Sequence, residues 1–261
     1  MYKNKFIAFI DILGFGALVE KSAAIPDIAK SIQEALISMN PKLLHQTMFG
    51  SLNEEKIPEG RLDDAQRVLA LMNLNMSKEH PVTISYFSDS LVLSADADDV
   101  IASQTILEIL AKLSIKLWDE HSLLIRGGVA LGKLVHIENG PLFGPAMNKA
   151  YHLESSEAKT PRIIFEQHCI EKFRSINSFE ILESLIEDDE EYSYISLPAC
   201  FRYITTSSSL AFSDSEQLRN ILRAQTQVVS KIQGIIASKP QQRVKEKYDW
   251  LNTEAQKILP N

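Results

Sequence analysis

Cysteine is scarce in this chain, and the two that occur, Cys169 and Cys200, have no metal-ligand spacing. A disulfide-stapled secreted scaffold and a cysteine-built zinc site are therefore both disfavoured. No apolar run is long enough to cross a bilayer, and the N-terminus lacks the apolar segment of a signal peptide. These absences predict a reduced, cytoplasmic protein without membrane contact.

Basic surface is lacking as well. The formal net charge is -7, from 27 Lys and Arg against 34 Asp and Glu, and the cations form no local stripe. Because an acidic surface repels a phosphate polymer, we expect no nucleic-acid partner. With 261 residues, of which 45% are hydrophobic, the chain can still bury a sizeable core.

Short apolar runs and helical periodicities alternate along the first two thirds of the chain. The runs predict strands at 6–10, 82–87, 91–94, 123–131, 133–137 and 162–165, and helices at about 26–40, 63–75, 98–117 and 144–157. We expect the segment 133–137 to be the hairpin partner of 123–131. This order of elements is typical of an α+β sandwich of ferredoxin-like type.

The last third of the chain has a different character. An acidic run at 187–191 is most simply a solvated loop. Two long amphipathic helical patterns follow, and Pro240 separates them. We expect these helices to pack on the sheet.

Two lone carboxylates stand at strand edges. Asp11 ends the first predicted strand, and Asp89 lies in the turn of the predicted hairpin. That hairpin neighbours the first strand in a ferredoxin-like sheet, so the two aspartates could bind two divalent ions side by side. Aspartate also caps turns, and either residue taken singly favours that interpretation.

Three other features could bind phosphate. The glycine loop at 13–16 could point backbone N–H groups at phosphate oxygens, although tight strand-to-helix turns use glycine routinely. Arg126, inside an apolar strand, needs an anionic partner, which is either a triphosphate or a structural carboxylate. Asn148 and His152 share one helix face and could donate hydrogen bonds to phosphate charge, or could be ordinary surface residues.

Together these segments resemble the class III nucleotidyl cyclases. Asp11-Ile12-Leu13-Gly14-Phe15 resembles the Asp-Ile-x-Gly-Phe motif of that family, and Ser88-Asp89 resembles its second metal aspartate. The segment 125–132 is similar to its Arg-x-Gly-x-x-x-Gly strand, and 144–152 to its Gly-x-x-x-Asn-x-x-x-Arg helix. The resemblance covers about residues 4–166.

The resemblance implies an α+β, ferredoxin-like class III nucleotidyl cyclase sandwich with a helical C-terminal extension. The catalytic core would span 1–166, with an insertion at about 41–76, and the extension would span 167–261. It also implies a homodimer whose active sites lie at the subunit interface.

The resemblance assigns a role to each site residue. Asp11, Asp89 and the carbonyl of Ile12 would bind two Mg²⁺ or Mn²⁺ ions. Arg126 would hold phosphates, and Asn148 of the other chain would steady the reacting α-phosphate. Attack by the 3′-hydroxyl on that phosphorus would then release pyrophosphate and leave a 3′,5′-cyclic nucleotide.

Three positions depart from the family pattern. Purine-specific members commonly carry Lys or Glu where this chain has Ser85, and their second base-reading acid is replaced by Pro141. Their helix arginine is His152 here. Either Arg162 or Lys149 could supply the missing positive charge.

Without those purine readers, the chain most resembles the bacterial Pycsar pyrimidine cyclases. These make cyclic UMP or cyclic CMP on phage infection, and the product activates a separate effector. Gly14, Phe15, Ser85, Tyr86 and His152 are the expected nucleotide contacts. Tyr86 would be either a bulky wall that excludes purines or a core aromatic.

We expect UTP as the substrate, with CTP as the alternative. A catalytically inactive, nucleotide-binding cyclase-like module is a second hypothesis. A diguanylate cyclase or palm-type polymerase would place its carboxylates similarly. However, the hairpin lacks the Gly-Gly-[Asp/Glu]-Glu-Phe signature, and the acidic surface disfavours a polymerase.

Overall fold

The computed structural model describes residues 1–41, 44, 82–175, 183–206, 215–238 and 240–259. The predicted insertion at about 41–76, with its helix at 63–75, lies almost entirely outside these residues. Within the described ranges, no helix has the length and apolar character needed to span a membrane. Both cysteines are buried free thiols.

Strands and helices alternate along the chain. In chain order they are β1 (Lys3–Ile12), α1 (Phe15–Ser22), α2 (Pro26–Ser38), β2 (Thr83–Phe87), β3 (Ser90–Asp96), α3 (Val100–His121), β4 (Ile125–His136), β5 (Leu142–Phe143), α4 (Pro145–His152), a π-helical turn (Leu153–Glu157), β6 (Arg162–Phe165), α5 (Gln167–Arg174), β7 (Glu187–Asp188), β8 (Ser193–Ser196), α6 (Leu197–Thr206), α7 (Ser215–Ala237) and α8 (Gln242–Ile258).

One sheet organises the fold, with strand order β2-β3-β1-β4-β6-β8-β7 and with β5 paired to β4 outside this path. Strands β1 to β4 pair antiparallel in the order β2-β3-β1-β4, which is the ferredoxin-like arrangement. The predicted α+β fold with a helical C-terminal extension is therefore confirmed. The sheet itself continues past Glu166, because β8 pairs with β6.

The two faces of the sheet are covered differently. Alternate residues of β1, such as Phe6 and Ile10, join the main core, to which α3 contributes a long buried stripe including Trp118. The opposite face carries a smaller cluster, in which Ala146 and Ala150 of α4 pack against Ile7, Phe9 and their neighbours. The charged residues of the candidate site lie on this second face.

Two adjacent glycines in β4 let neighbouring backbones approach closely. A Cβ on Gly128 would lie 2.4 Å from the carbonyl oxygen of Ala150 and 2.5 Å from Cβ of Leu153. A Cβ on Gly127 would lie 2.6 Å from the carbonyl oxygen of Phe9. Gly128 therefore determines how closely α4 and the π-helical turn approach the sheet.

The predicted division of residues 123–137 into two strands is wrong. β4 runs unbroken, because its pairing with β1 continues through Gly132, opposite Lys5, and Lys133, opposite Asn4. The hairpin partner of β4 is instead the short β5, in which Phe143 pairs with Val135.

The acidic run is exposed from Asp188 to Glu191, as predicted for a solvated loop, but it begins in the short strand β7 and its aspartates are paired. Asp188 lies in β7 and forms an ion pair with Arg174 at 2.8 Å. Asp189 pairs with Arg162 and accepts the backbone N–H of Tyr192 at 2.8 Å. The run is held in place because arginines distant in the sequence face it. These charge-assisted bonds lower the pKa of both aspartates despite their partial burial.

We predict that Gly128→Ala destabilises the protein by about 2–3 kcal/mol, because the added methyl group must displace α4 or the π-helical turn. Gly16→Ala is the matched control. No atom lies within 4 Å of a Cβ built on Gly16 in α1, so its stability should change by less than about 1 kcal/mol. Chemical denaturation measures both variants. Equal stabilities would contradict the proposed close packing.

Candidate active site

A row of side chains crosses four strands at one edge of the second face. Phe87 of β2 pairs with Ser90 of β3, Ser90 pairs with Asp11 of β1, and Asp11 pairs with Arg126 of β4. Directly paired residues point to the same face of a sheet, so these four side chains are neighbours. The hydroxyl of Ser90 donates to Oδ1 of Asp11 at 3.4 Å.

Asp89 completes this row from the hairpin turn. It precedes Ser90 and lies within hydrogen-bonding reach of protonated Asp11. The structure therefore brings together the two aspartates that are distant in the sequence.

The carboxyl of Asp11 is strongly perturbed. Burial, followed by the hydrogen bond with Asp89 and the negative charges of Asp89 and Glu154, raises the pKa of Asp11 from 3.8 to about 7. Arg126 acts in the opposite direction but does not cancel the shift. Ionised Asp11 is thus costly in the protein alone, and a cation placed between the two aspartates would relieve that cost.

Arg126 has a carboxylate partner within its own chain. Its Nη2 atom lies 2.7 Å from Oε1 of Glu154 and 3.7 Å from Oδ2 of Asp11. Glu154 is 3% exposed, and burial raises the pKa of this carboxyl even though Arg126 lowers it. Of the two partners left open for Arg126, the structure supplies the structural carboxylate.

Sequence reasoning did not single out Glu154. The signal was the isolated Arg126, which called for an anion without identifying it. The close Arg126–Glu154 contact lacks hydrogen-bond geometry, and Nε of Arg126 has no hydrogen-bond partner within the described part of the chain.

The glycine loop joins the row to a helix. Gly14 has a φ of 81°, a left-handed conformation that favours glycine, and it caps α1, which begins at Phe15. The N–H of Leu13 donates to the carbonyl of Leu124 at 2.8 Å and so anchors the loop to the chain just before β4. The N-terminal end of α1, which is the positive end of its dipole, therefore begins four residues after Asp11.

Asn148 and His152 occupy the outer surface of α4. Ala146 and Ala150 bury the inner side of this helix, whereas Asn148 and His152 are exposed. Nε2 of His152 lies 3.5 Å from Glu157. Among the described contacts, neither Asn148 nor His152 reaches the aspartate pair.

Arg162 and Lys149, the two candidates to replace the positive charge of the family's helix arginine, are already paired. Arg162 forms its ion pair with Asp189, and Lys149 forms one with Glu166. Each is therefore neutralised by a carboxylate of its own chain.

Ser85 lies on the face that carries Asp11, one row further along the sheet. It pairs with Val92, and its hydroxyl is 2.9 Å from Nε2 of His136. The other ring nitrogen of His136 lies 2.8 Å from the hydroxyl of Ser94. Burial lowers the pKa of His136 to about 4, so the ring is neutral near pH 7. This buried histidine, which sequence reasoning also missed, orients Ser85.

Tyr86 does not join the site row. It pairs with Leu91, a main-core residue, so strand alternation places it on the face opposite to Asp11. The aromatic residue on the Asp11 face is Phe87, which is 85% exposed.

The donor set fits a divalent cation that shares its coordination with a ligand. In the described ranges, no group of three or more His, Cys, Asp or Glu is arranged to hold a metal ion. Asp11 and Asp89 offer two carboxylates, and the carbonyl of Ile12 ends the same strand. Oxygen ligands of this kind suit Mg²⁺ and Mn²⁺, which commonly take their remaining ligands from phosphate and water.

Comparison with known proteins finds no matching family model and no matching curated protein. Among solved structures, the adenylyl cyclase CyaB from P. aeruginosa aligns with a TM-score of 0.43 and 14% identity, covering 75% of this chain and 93% of its own. A bacterial light-regulated adenylyl cyclase aligns with a TM-score of 0.39 and 14% identity, covering 85% and 98%. These similarities are too low to support a functional argument, which must come from the site itself.

We predict that Asp11→Asn stabilises the metal-free protein at pH 8 by about 1–2 kcal/mol, since an uncharged amide avoids the cost of ionising a partly buried carboxyl beside Asp89. The pKa of Asp11 is higher in the folded than in the unfolded chain. Wild-type stability therefore falls as the pH rises from about 4 through 7, and the advantage of the variant should vanish near pH 4. Thermal unfolding in EDTA measures the difference. A less stable variant at pH 8 would contradict the prediction.

Proposed function

We propose that this protein is a nucleotidyl cyclase of class III type that converts UTP to 3′,5′-cyclic UMP and pyrophosphate. The observation that carries the proposal is the convergence of Asp11, Asp89 and Arg126 at one edge of a ferredoxin-like sheet. The motif resemblance extends the proposal to a cytoplasmic antiphage role, in which the product activates a separate effector.

Each residue of the site has a chemical role in this proposal. Asp11, Asp89 and the carbonyl of Ile12 would hold two Mg²⁺ or Mn²⁺ ions, which lower the pKa of the 3′-hydroxyl and offset phosphate charge when bound. Arg126 donates from its guanidinium to phosphate oxygens, and the N-terminal end of α1 favours the same anion. The new bond joins the 3′-oxygen to the α-phosphorus. The bond from that phosphorus to the β-phosphate bridging oxygen breaks, so pyrophosphate leaves.

Asn148 would act on the site of a partner chain. Its exposure on the outer surface of α4 supports this role, because within one chain it faces away from the sheet. From the partner it could donate a hydrogen bond to an α-phosphate oxygen as charge develops there. His152, on the same surface, would then contact the nucleotide across the interface.

Two side chains on the Asp11 face are the basis for proposing a pyrimidine. Ser85 offers a small hydroxyl held by neutral His136, where purine-specific family members carry Lys or Glu. Phe87, rather than Tyr86, is the aromatic residue on this face and supplies bulk beside the site. UTP is the proposed substrate, and CTP is the alternative.

A catalytically inactive nucleotide-binding module is the second candidate. The observation that favours it is the Arg126–Glu154 ion pair, which already gives Arg126 an anionic partner. The pairing of Lys149 and Arg162 with carboxylates, together with His152 in place of arginine, points the same way.

We predict that purified protein with Mn²⁺ makes cyclic UMP from UTP in preference to the other three nucleoside triphosphates, with the products resolved by mass. Asp89→Ala should lower turnover by at least about 100-fold while leaving thermal stability unchanged or raised, because the lost carboxylate is a metal ligand. Wild-type rates in Asp89→Ala would remove the metal assignment. Absence of any cyclic product would favour the binding module.

We also predict that the sites are shared between two chains. Asp89→Ala and Asn148→Ala should each be inactive alone. After mixing and subunit exchange they should recover about a quarter of wild-type activity, since half of the dimers then contain one intact site. Sedimentation measures the assembly. An active species that remains strictly monomeric would overturn the shared-site proposal.

A further inference from the structure

The C-terminal helix α8 packs on α6 and α7 and directs Trp250 and Glu254 toward strands β6 and β8, on the sheet face that carries the candidate site. The Trp250 ring lies 6.0 Å from the ring of Tyr194 in β8, and the guanidinium of Arg162 in β6 lies 6.0 Å from the Trp250 ring. Oε2 of Glu254 accepts the hydroxyl of Tyr194 at 3.0 Å, and this carboxylate is 7% exposed. These contacts hold α8 across β6 and β8.

That position brings α8 close to Arg126. Strand β6 pairs in parallel with β4, with Ile163 opposite Gly127, so Arg162 and Arg126 are neighbours on adjacent strands. Trp250 also packs in a cluster with Leu153, the residue before Glu154. The helical turn of α8 that precedes Trp250 therefore approaches the Arg126–Glu154 pair.

Lys247 lies on that preceding turn. It is three and four residues before Trp250 and the fully buried Leu251, so it shares their side of the helix. Burial, followed by the positive charges of Arg243 and Arg126, lowers the pKa of Lys247. Lys247 therefore lies within electrostatic range of Arg126, although the two residues are distant in the sequence.

The positive charge of Arg126, Lys247 and Arg243 is only partly balanced. Arg126 has Glu154 and Asp11 as partners, whereas Lys247 and Arg243 form no ion pair within the described part of the chain. Lys245, on the same helix, is instead paired with Asp249 at 2.7 Å. Like charges within electrostatic range of one another are unfavourable unless an anion binds among them, and a polyphosphate supplies one with several oxygen acceptors.

We propose that Lys247 is a triphosphate-binding residue, which the C-terminal extension places beside Arg126 to hold the polyphosphate tail of the substrate. The inference rests on the proposed function, and it gives that extension a direct role in the site. It also provides a positive charge that Lys149 and Arg162, each already paired with a carboxylate, do not.

The test compares Lys247→Met with the matched control Lys245→Met, since both variants remove one charge from the same helix and keep a long side chain. Calorimetry with inorganic tripolyphosphate and Mn²⁺ measures binding without requiring turnover. We expect Lys247→Met to weaken this binding about tenfold and to raise KM for UTP similarly, with a smaller change in kcat. Lys245→Met should stay within about twofold of wild type.

Lys247→Arg keeps the charge and should retain most of the binding, which separates the charge from the packing of the stem. Equal effects of the two Met variants, loss of binding in a folded Lys247→Arg, or no tripolyphosphate binding by the wild type would each overturn the inference. If Lys247 governs tripolyphosphate binding while no nucleoside triphosphate is cyclised, the inference stands and the proposed cyclase activity fails.

Discussion

The partly buried carboxyl of Asp11 is the constraint on which the site depends. It lies between a second carboxylate, Asp89, and the guanidinium of Arg126, on the polar edge of an otherwise apolar sheet face. Burial and like charge together make its ionised form costly, and one arginine does not fully compensate. Clustered carboxylates that are costly in the protein alone are expected at a site where a bound ligand supplies the compensating positive charge.

A glycine in β4 makes this arrangement of charges possible. Gly128 has no Cβ, so Ala150 and Leu153 can lie against β4, and the π-helical turn then directs Glu154 onto Arg126. In a π-helical turn the backbone hydrogen bonds join residues five apart, so the side chains after α4 point in a different direction from those of a continued α-helix. Such turns occur frequently at functional sites. The contact of α4 with Gly128 therefore determines both the packing of this helix on the sheet and the position of Glu154 beside Arg126.

The C-terminal extension is tied to the sheet by charge as well as by apolar packing. Asp188 and Asp189 bind Arg174 and Arg162, and Arg162 lies beneath the aromatic rings of Tyr194 and Trp250. Because Arg162 neighbours Arg126 across two strands, the contacts that fasten the extension also determine what it presents to the site. The proposed role of the extension in phosphate binding follows from this connection.

Periodicity placed the strands β1, β2, β3 and β6 and the helices α2, α3 and α4, and the ferredoxin-like topology of those elements brought Asp11 next to Asp89. The continuous β4, the ion pairs of the acidic run, and Glu154 as the partner of Arg126 required the tertiary structure. The finding that Phe87 rather than Tyr86 lies on the Asp11 face also required the tertiary structure, because adjacent residues of a strand point to opposite faces of the sheet. These features depend on distances between residues far apart in the chain, which register and packing decide and no local pattern encodes.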